Sequence, residues 1–252
     1  MKNSIVVCII VSTAFLSQGL FADGWGSATL SETVQLALAD DGIIQLNINA
    51  GAGDLAITGK EGQEQITVIA KVFGEDLSDD DYVLSLERKG GKEGDKAVLI
   101  AQFNNNTHNN ERIDLEITMS PSLALLVDDR SGDITIESVS NSLTINDRSG
   151  DIELNYITGL VKIDDRSGDV LGKDLRGNVI INDRSGDIQL RDIMGDVKID
   201  DSSGDIRAKN ISGVVTVEDS SGDININGAN DFRLISDGSG DVSLRNIKMD
   251  LQ

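Results

Sequence analysis

The stretch "DDRSGDI" spans residues 128–134, and near copies follow as "NDRSGDI" at 146–152, "DDRSGDV" at 164–170 and "NDRSGDI" at 182–188. The tripeptide Ser-Gly-Asp begins at Ser131, Ser149, Ser167, Ser185, Ser203, Ser221 and Ser239, always 18 residues apart. A period of this size, held with no insertion, is the signature of a solenoid in which each unit stacks only on its neighbours.

Apolar residues hold fixed places within the period. In the coil from Ser149 they are Ile152, Leu154, Ile157, Val161 and Ile163. Steps of two are strand alternation, and β-branched residues dominate. A second glycine recurs nine residues after the first, at Gly159, Gly177, Gly195 and Gly213, so each coil reads as two short strands, each followed by a turn. Successive coils stacked in parallel at about 4.8 Å would make seven coils about 34 Å long. The predicted fold is all-β: a parallel β-solenoid (β-helix) of 18-residue coils with a thin core of Ile, Val and Leu. Parallel crossovers favour a right-handed coil; a left-handed winding stays open.

Asp147, Arg148, Ser149, Gly150 and Asp151 make one copy of the turn. Asp165, Arg166, Ser167, Gly168 and Asp169 make the next, and Asp183, Arg184, Ser185, Gly186 and Asp187 a third. The glycine supplies positive φ or a close approach of neighbouring turns. Asp147 and Ser149 are suited to bonding local backbone N–H groups. Asp147 shares the parity of the inward positions, and an unpartnered buried carboxylate is costly, so a capping role is expected for it. Asp151 should face outward, in a column with its equivalents, where Arg130, Arg148, Arg166 and Arg184 are expected to interleave as an ion-pair ladder.

In the last coils that arginine gives way to Ser202, Ser220 and Gly238. The aspartates there, Asp201, Asp205, Asp219, Asp223, Asp237 and Asp241, are the candidate calcium ligands, since carboxylate oxygens suit that ion. The nonapeptide calcium roll requires Gly-Gly-x-Gly-x-Asp, whereas each half-coil here has a single glycine. A self-satisfied turn with no cofactor is therefore the expectation, and calcium the alternative.

Residues 1–22 read as a secretory signal peptide: Lys2, an apolar run from Ile5 to Leu16, and a cut after Ala22. The run is short for a membrane span, so no transmembrane segment is expected in the mature chain. Its one cysteine, Cys8, would leave with the leader, which excludes a disulfide framework. Loss of Lys2 takes the formal charge from −21 to −22, a surface that repels nucleic acid and anionic lipid.

Residues 23–120 read as an irregular β region that covers the N-terminal end of the stack. "GAGDLAITGKEGQEQITVIAKV" is a first divergent coil, and "YVLSLERKGGKEGDKAVLIAQF" a hairpin around Gly90 and Gly91. "LSDDDY" is expected to form a short helical turn capped by Ser78. Residues 121–252 hold the regular coils, and Phe232 and Leu234 are expected to fill space in the most divergent of them.

The "GAGDLAITG" segment, the irregular β excursion, "IDLEITMSPSLALLV" and the serial "SGDI" coils together resemble the bacterial DUF4097 family of β-strand-repeat proteins, over most of the mature chain. The resemblance implies a β-solenoid, an exported or envelope location and the provisional family label of adhesin; it transfers no catalytic residue.

No nucleophile motif, metal-ligand cluster or phosphate loop stands out. His108, in an Asn-rich loop, reads as a solvated side chain, and Trp25, Tyr82 and Tyr156 are far apart in sequence. The expected function is a non-enzymatic adhesin-like or scaffold module, exported to the periplasm, cell surface or medium. Its expected partner is a protein or glycan of the envelope, and its oligomeric state is left open. A cation-binding or envelope-stress factor is the alternative, and a polysaccharide-active enzyme the third reading.

Overall fold

The computed structural model describes residues 8–9, 29–78, 80–91, 94–104 and 110–248. The leader apart from Cys8 and Ile9, together with Trp25 and His108, lies outside them.

The irregular part contributes β1 (Cys8–Ile9), β2 (Leu30–Ala39), β3 (Ile43–Ala50), β4 (Leu55–Gly59) and β5 (Gln65–Phe73). It continues with β6 (Tyr82–Lys89), β7 (Asp95–Phe103) and β8 (Arg112–Met119). The coils follow: β9 (Ala124–Asp128), β10 (Ile134–Glu137), β11 (Leu143–Asn146), β12 (Ile152–Asn155), β13 (Val161–Asp164), β14 (Val170–Arg176) and β15 (Val179–Asp183). The stack ends with β16 (Ile188–Met194), β17 (Val197–Asp201), β18 (Ile206–Ile211), β19 (Val214–Asp219), β20 (Ile224–Ala229), β21 (Asp231–Asp237) and β22 (Val242–Ile247).

Even-numbered strands from β10 onward belong to a twelve-stranded sheet that also holds β1, β2, β4, β5 and β8, and odd-numbered ones from β9 to a ten-stranded sheet that also holds β3, β6 and β7, so each coil gives one strand to each. Pairing is parallel and steps by 18 residues: Ile152 lies beside Ile134 and Val170, and Ile163 beside Ile145 and Ile181. Between the sheets Ile134, Ile152, Val170, Ile188, Ile206 and Ile224 form one of several fully buried columns. Each such side chain is worth about 1.5–3 kcal/mol of burial. The parallel β-solenoid with 18-residue coils is thus the fold.

Strands β3 and β4 form a coil of their own, and its position is unexpected. β4 lies between β8 and β10, and β3 between β7 and β9. The chain leaving β8 for β9 therefore passes over the end of β4. A Cβ on Gly59 would lie 3.1 Å from Pro121 on that connection and 2.0 Å from the carbonyl oxygen of Ser138, just after β10, so the end of β4 is tightly enclosed. Beyond it β5 pairs antiparallel with β8, β2 with β5, and β1 with β2 at Leu36 and Gln35. On the other sheet β6 and β7 form the antiparallel hairpin.

Two local expectations are corrected. Among the described residues there is no helix at "LSDDDY"; the Asp81 carboxylate accepts from the Ser78 amide at 2.7 Å and its hydroxyl at 2.8 Å, closing a turn instead. Phe232 does pack on the core, but Leu234, still in register with Val217, is 42% exposed on β21, the edge strand of its sheet.

Candidate functional site

The Ser-Gly-Asp turns carry the chain from the ten-stranded to the twelve-stranded sheet along one edge of the solenoid. Gly168 has φ +143°, and a Cβ there would lie 1.9 Å from the Gly150 carbonyl oxygen in the coil before. The turn therefore needs glycine twice over, for its dihedral and for the approach of its neighbour.

The last aspartate of each turn joins the coils. The Asp151 amide donates to Asp133 Oδ1 at 3.0 Å, Asp169 to Asp151 at 2.9 Å, and Asp187 to Asp169 at 2.9 Å. The ladder continues through Asp205, Asp223 and Asp241, each at 2.9 Å, and begins at Asp114 and Asp54. Each carboxylate thus caps an N–H of the next coil, and a charge-assisted bond of this kind is stronger than a neutral one. The expected arginine ladder does not form. Among the described residues Arg130, Arg148, Arg166 and Arg184 make no ion pair, and the bridging cation is Arg207, 2.8 Å from Asp187 and 2.6 Å from Asp205. The amide of Asp205 and the Arg207 guanidinium hold the Asp187 carboxyl below its usual range.

The first aspartate of each turn lies inside. Asp129, Asp147, Asp165, Asp183, Asp201 and Asp219 form a buried column. Asp165 Oδ1 accepts from the Arg166 amide at 2.5 Å and the Ser167 amide at 3.2 Å, while its Oδ2 is buried without a partner. Asp183 repeats both bonds, while Asp147 accepts from the Arg148 amide at 2.6 Å, and Asp201 and Asp219 from the Ser203 and Ser221 amides at 3.0 Å; in all four Oδ2 is buried without a partner. Burial raises all six, Asp129 to about 8, Asp201 to about 7 and Asp165 to about 6. A proton on Oδ2 removes the charge that burial penalises.

The aspartates considered for calcium divide between these columns. Asp201 and Asp219 are inside, Asp205, Asp223 and Asp241 are in the capping ladder, and Asp237 is half-buried with Oδ1 unpartnered. Among the described residues no three His, Cys, Asp or Glu side chains are gathered as a metal ion would need.

The opposite edge has its own column. Ser138, Tyr156, Asp174, Asp192, Asn210 and Asn246 all have φ of 54–60°, and Gly228, in the same series, has φ +88°. Tyr156 and Met194, each 59% exposed, both line a shallow groove of about 560 Å³. A second groove, about 470 Å³, crosses the outer face of the twelve-stranded sheet between Leu171, Gln189, Arg207 and Asn225.

A model of the Toastrack DUF4097 family matches residues 26–172 and 176–252. The chain belongs to that family. Among solved structures, this Toastrack chain is similar to a Bacteroides fragilis protein provisionally named an adhesin: 18% identity, 86% of this chain and 98% of that one, TM-score 0.56. At that identity the likeness shows the fold alone. A Clostridium sporogenes protein, provisionally named a cell adhesion protein, is 14% identical over 85% of this chain and 98% of that one. Its TM-score of 0.41 carries no argument. Among curated proteins nothing matches.

Two features of this Toastrack solenoid escaped the sequence reading. The positive-φ column had a signal, since Asp174, Asp192, Asn210, Gly228 and Asn246 are residue types that tolerate it. Ser138 and Tyr156 hid it. The other is the charge on the outer faces. From β14 to β22 the solvent-facing positions of the twelve-stranded sheet hold Lys173, Arg176, Arg191, Arg207, Lys209 and Arg245 against two carboxylates, Asp174 and Asp192 at the strand ends, among uncharged residues such as Leu171, Gln189, Asn225, Asn227 and Ser243. The ten-stranded sheet, from β13 to β19, mixes Lys162 and Lys198 with Asp164, Asp200 and Glu218.

Proposed function

We propose that the protein is an exported, non-enzymatic, adhesin-like binding module of the bacterial envelope that holds its partner, a protein or glycan, against the outer faces of the solenoid. The observation that carries this reading is the alignment of outward side chains in columns, one residue per coil, on strands paired in strict register. Such a lattice offers the same contact many times, and linked weak contacts add to useful avidity. The provisional adhesin name of the similar Bacteroides fragilis structure agrees with a binding role. Export rests on the apolar leader of residues 1–22; cleavage after Ala22 would also remove the short β1 strand from the edge of β2.

Labelled protein without the leader, added to envelope fractions of the cells that make it, is expected to bind saturably and to release no sugar. Polysaccharide turnover that disappears on substitution of one carboxylate would overturn the reading in favour of an enzyme. N-terminal sequencing of the protein from cells is expected to begin at Asp23; recovery of the intact leader on the protein would remove the export claim.

A further inference from the structure

The outer face of the twelve-stranded sheet is out of keeping with the rest of the molecule. The chain has 43 acidic and 22 basic residues, yet the solvent-facing positions from β14 to β22 hold Lys173, Arg176, Arg191, Arg207, Lys209 and Arg245 against only Asp174 and Asp192 at the strand ends. Four of the cations stand in one line. Lys173 lies beside Arg191, Arg191 beside Lys209, Lys209 beside Asn227 and Asn227 beside Arg245. Stacking like charges about 4.8 Å apart is unfavourable by itself, and of the four only Lys173 and Arg191 have an acidic partner among the described residues. The segregation calls for a ligand of opposite charge.

We propose that this line is the binding site for a linear anionic glycan lying along the solenoid axis, its carboxylates on Lys173, Arg191, Lys209 and Arg245. The line is about 19 Å long, enough for an oligosaccharide of several residues. Lys209 and Arg245 make no ion pair among the described residues. Lys173 and Arg191 touch Asp174 and Asp192 at 3.7 and 3.3 Å, but such exposed pairs are worth little and can be exchanged for a ligand carboxylate. Interleaved with the cations are Gln189, Asn225 and Asn227, whose amides both donate to and accept from hydroxyl groups. A sugar chain offers both acid and hydroxyl; a polyphosphate offers only charge.

The borders of the strip select its occupant. On one side run Asp174 and Asp192, and on the other Asp187 and Asp205 of the capping ladder. A flat anionic membrane would meet these carboxylates as well as the cations and be repelled, whereas a single extended chain fits between them. The same acidic borders, on a molecule of net charge −21, oppose the wider backbone of nucleic acid.

Oligogalacturonate is the probe, with its fully methyl-esterified form as a control of the same shape without charge. Calorimetric titration of the purified protein is expected to show binding that weakens as salt is raised. The ester should bind at least about tenfold more weakly. Lys209→Glu with Arg245→Glu should weaken oligogalacturonate binding by about tenfold or more, whereas Lys162→Glu with Lys198→Glu on the other sheet should change it by less than about twofold. Should the first pair lower the melting temperature, Lys209→Gln with Arg245→Gln gives the same reading with less repulsion. No binding of oligogalacturonate, equal binding of the ester, or equal loss from the Lys162 and Lys198 pair would overturn the site. Tighter binding of inorganic polyphosphate or phosphatidylglycerol vesicles would do the same. The site rests on the adhesin-like reading, and the two fail separately: envelope binding that survives the Lys209 and Arg245 substitutions overturns the site and leaves that reading standing.

Discussion

The regular coils and the strands before them solve the same problem in opposite ways. From β2 to β8, polar contacts are particular. Arg112 reaches Asp114 at 3.2 Å and lies 3.9 Å above the Phe73 ring, Lys71 meets Glu116 at 2.6 Å, and Arg88 bonds the carbonyls of Ala39 and Asp41. In the coils every residue sits over its own equivalent, so one solution is copied from turn to turn. The copying also multiplies costs. One buried carboxylate becomes six, and one glycine requirement becomes one per coil. Strict repetition is stable where a residue satisfies its neighbour's copy, as the capping aspartates do, and strained where it cannot, as the inner aspartates show.

The sharpest way to break the copied region is at its glycines. Gly168→Val should cost at least about 3 kcal/mol and abolish the cooperative melt, since the added carbon meets the Gly150 carbonyl at 1.9 Å. Ser167→Ala should cost less than about 1 kcal/mol. Gly62 in the irregular part has φ +75° but open space around it, so Gly62→Ala should cost only about 1–2 kcal/mol, the strain without the clash. Equal melting temperatures for the Gly168 and Gly62 variants would dissolve the contrast.

The irregular region should instead break at one particular contact. Arg112→Ala leaves the buried Asp114 without its cation and should cost about 3 kcal/mol in a denaturant melt.

The inner aspartates predict a pH dependence of defined sign. Asp129, Asp201 and Asp165, at about 8, 7 and 6, hold protons in the folded chain that the unfolded chain, with carboxyls near 3.8, releases. Stability from this column is complete below about pH 4 and is lost as pH rises through about 6–8. Asp187, held low, pulls more weakly the other way. The melting temperature should therefore be highest in mild acid. Asp165→Asn, which cannot ionise, should raise stability at pH 8 by about 1–3 kcal/mol and flatten the fall. A melting temperature that climbs from pH 5 to 8 would contradict the column's placement.

The smallest effect belongs to the turn arginines. Arg148→Gln with Arg166→Gln should change stability by less than about 0.5 kcal/mol, because neither makes an ion pair, whereas Arg207→Gln should cost about 0.5–1 kcal/mol. Thermal melts at low and high salt would check both.

Much of this was legible in the sequence for a physical reason. A period of 18 fixes which residues face inward, and inward columns must be apolar, so Ile152, Leu154, Ile157, Val161 and Ile163 disclosed strands, core and stacking together. The order of β4 between β8 and β10 was not legible, because a coil that occurs once carries no period to place it. Nor was the fate of the arginines. Asp151 points where its parity says, but a backbone amide of the next coil reaches it first, and sequence spacing does not show which donor is nearer. The cationic line of Lys173, Arg191, Lys209 and Arg245 was present on the 18-residue period, with Asn227 in one of its places, and was obscured by the total charge of −21.

The central claim is that "DRSGD" recurs because each copy completes the next coil. The most direct measurement is residue-resolved hydrogen exchange in Asp169→Ala. The Asp187 amide donates to Asp169 Oδ1, while the Asp169 amide donates to Asp151. Exchange should therefore quicken by about tenfold or more at residue 187, with residues 151 and 169 keeping their protection. Unchanged protection at residue 187, or an equal loss along the whole stack, would contradict it.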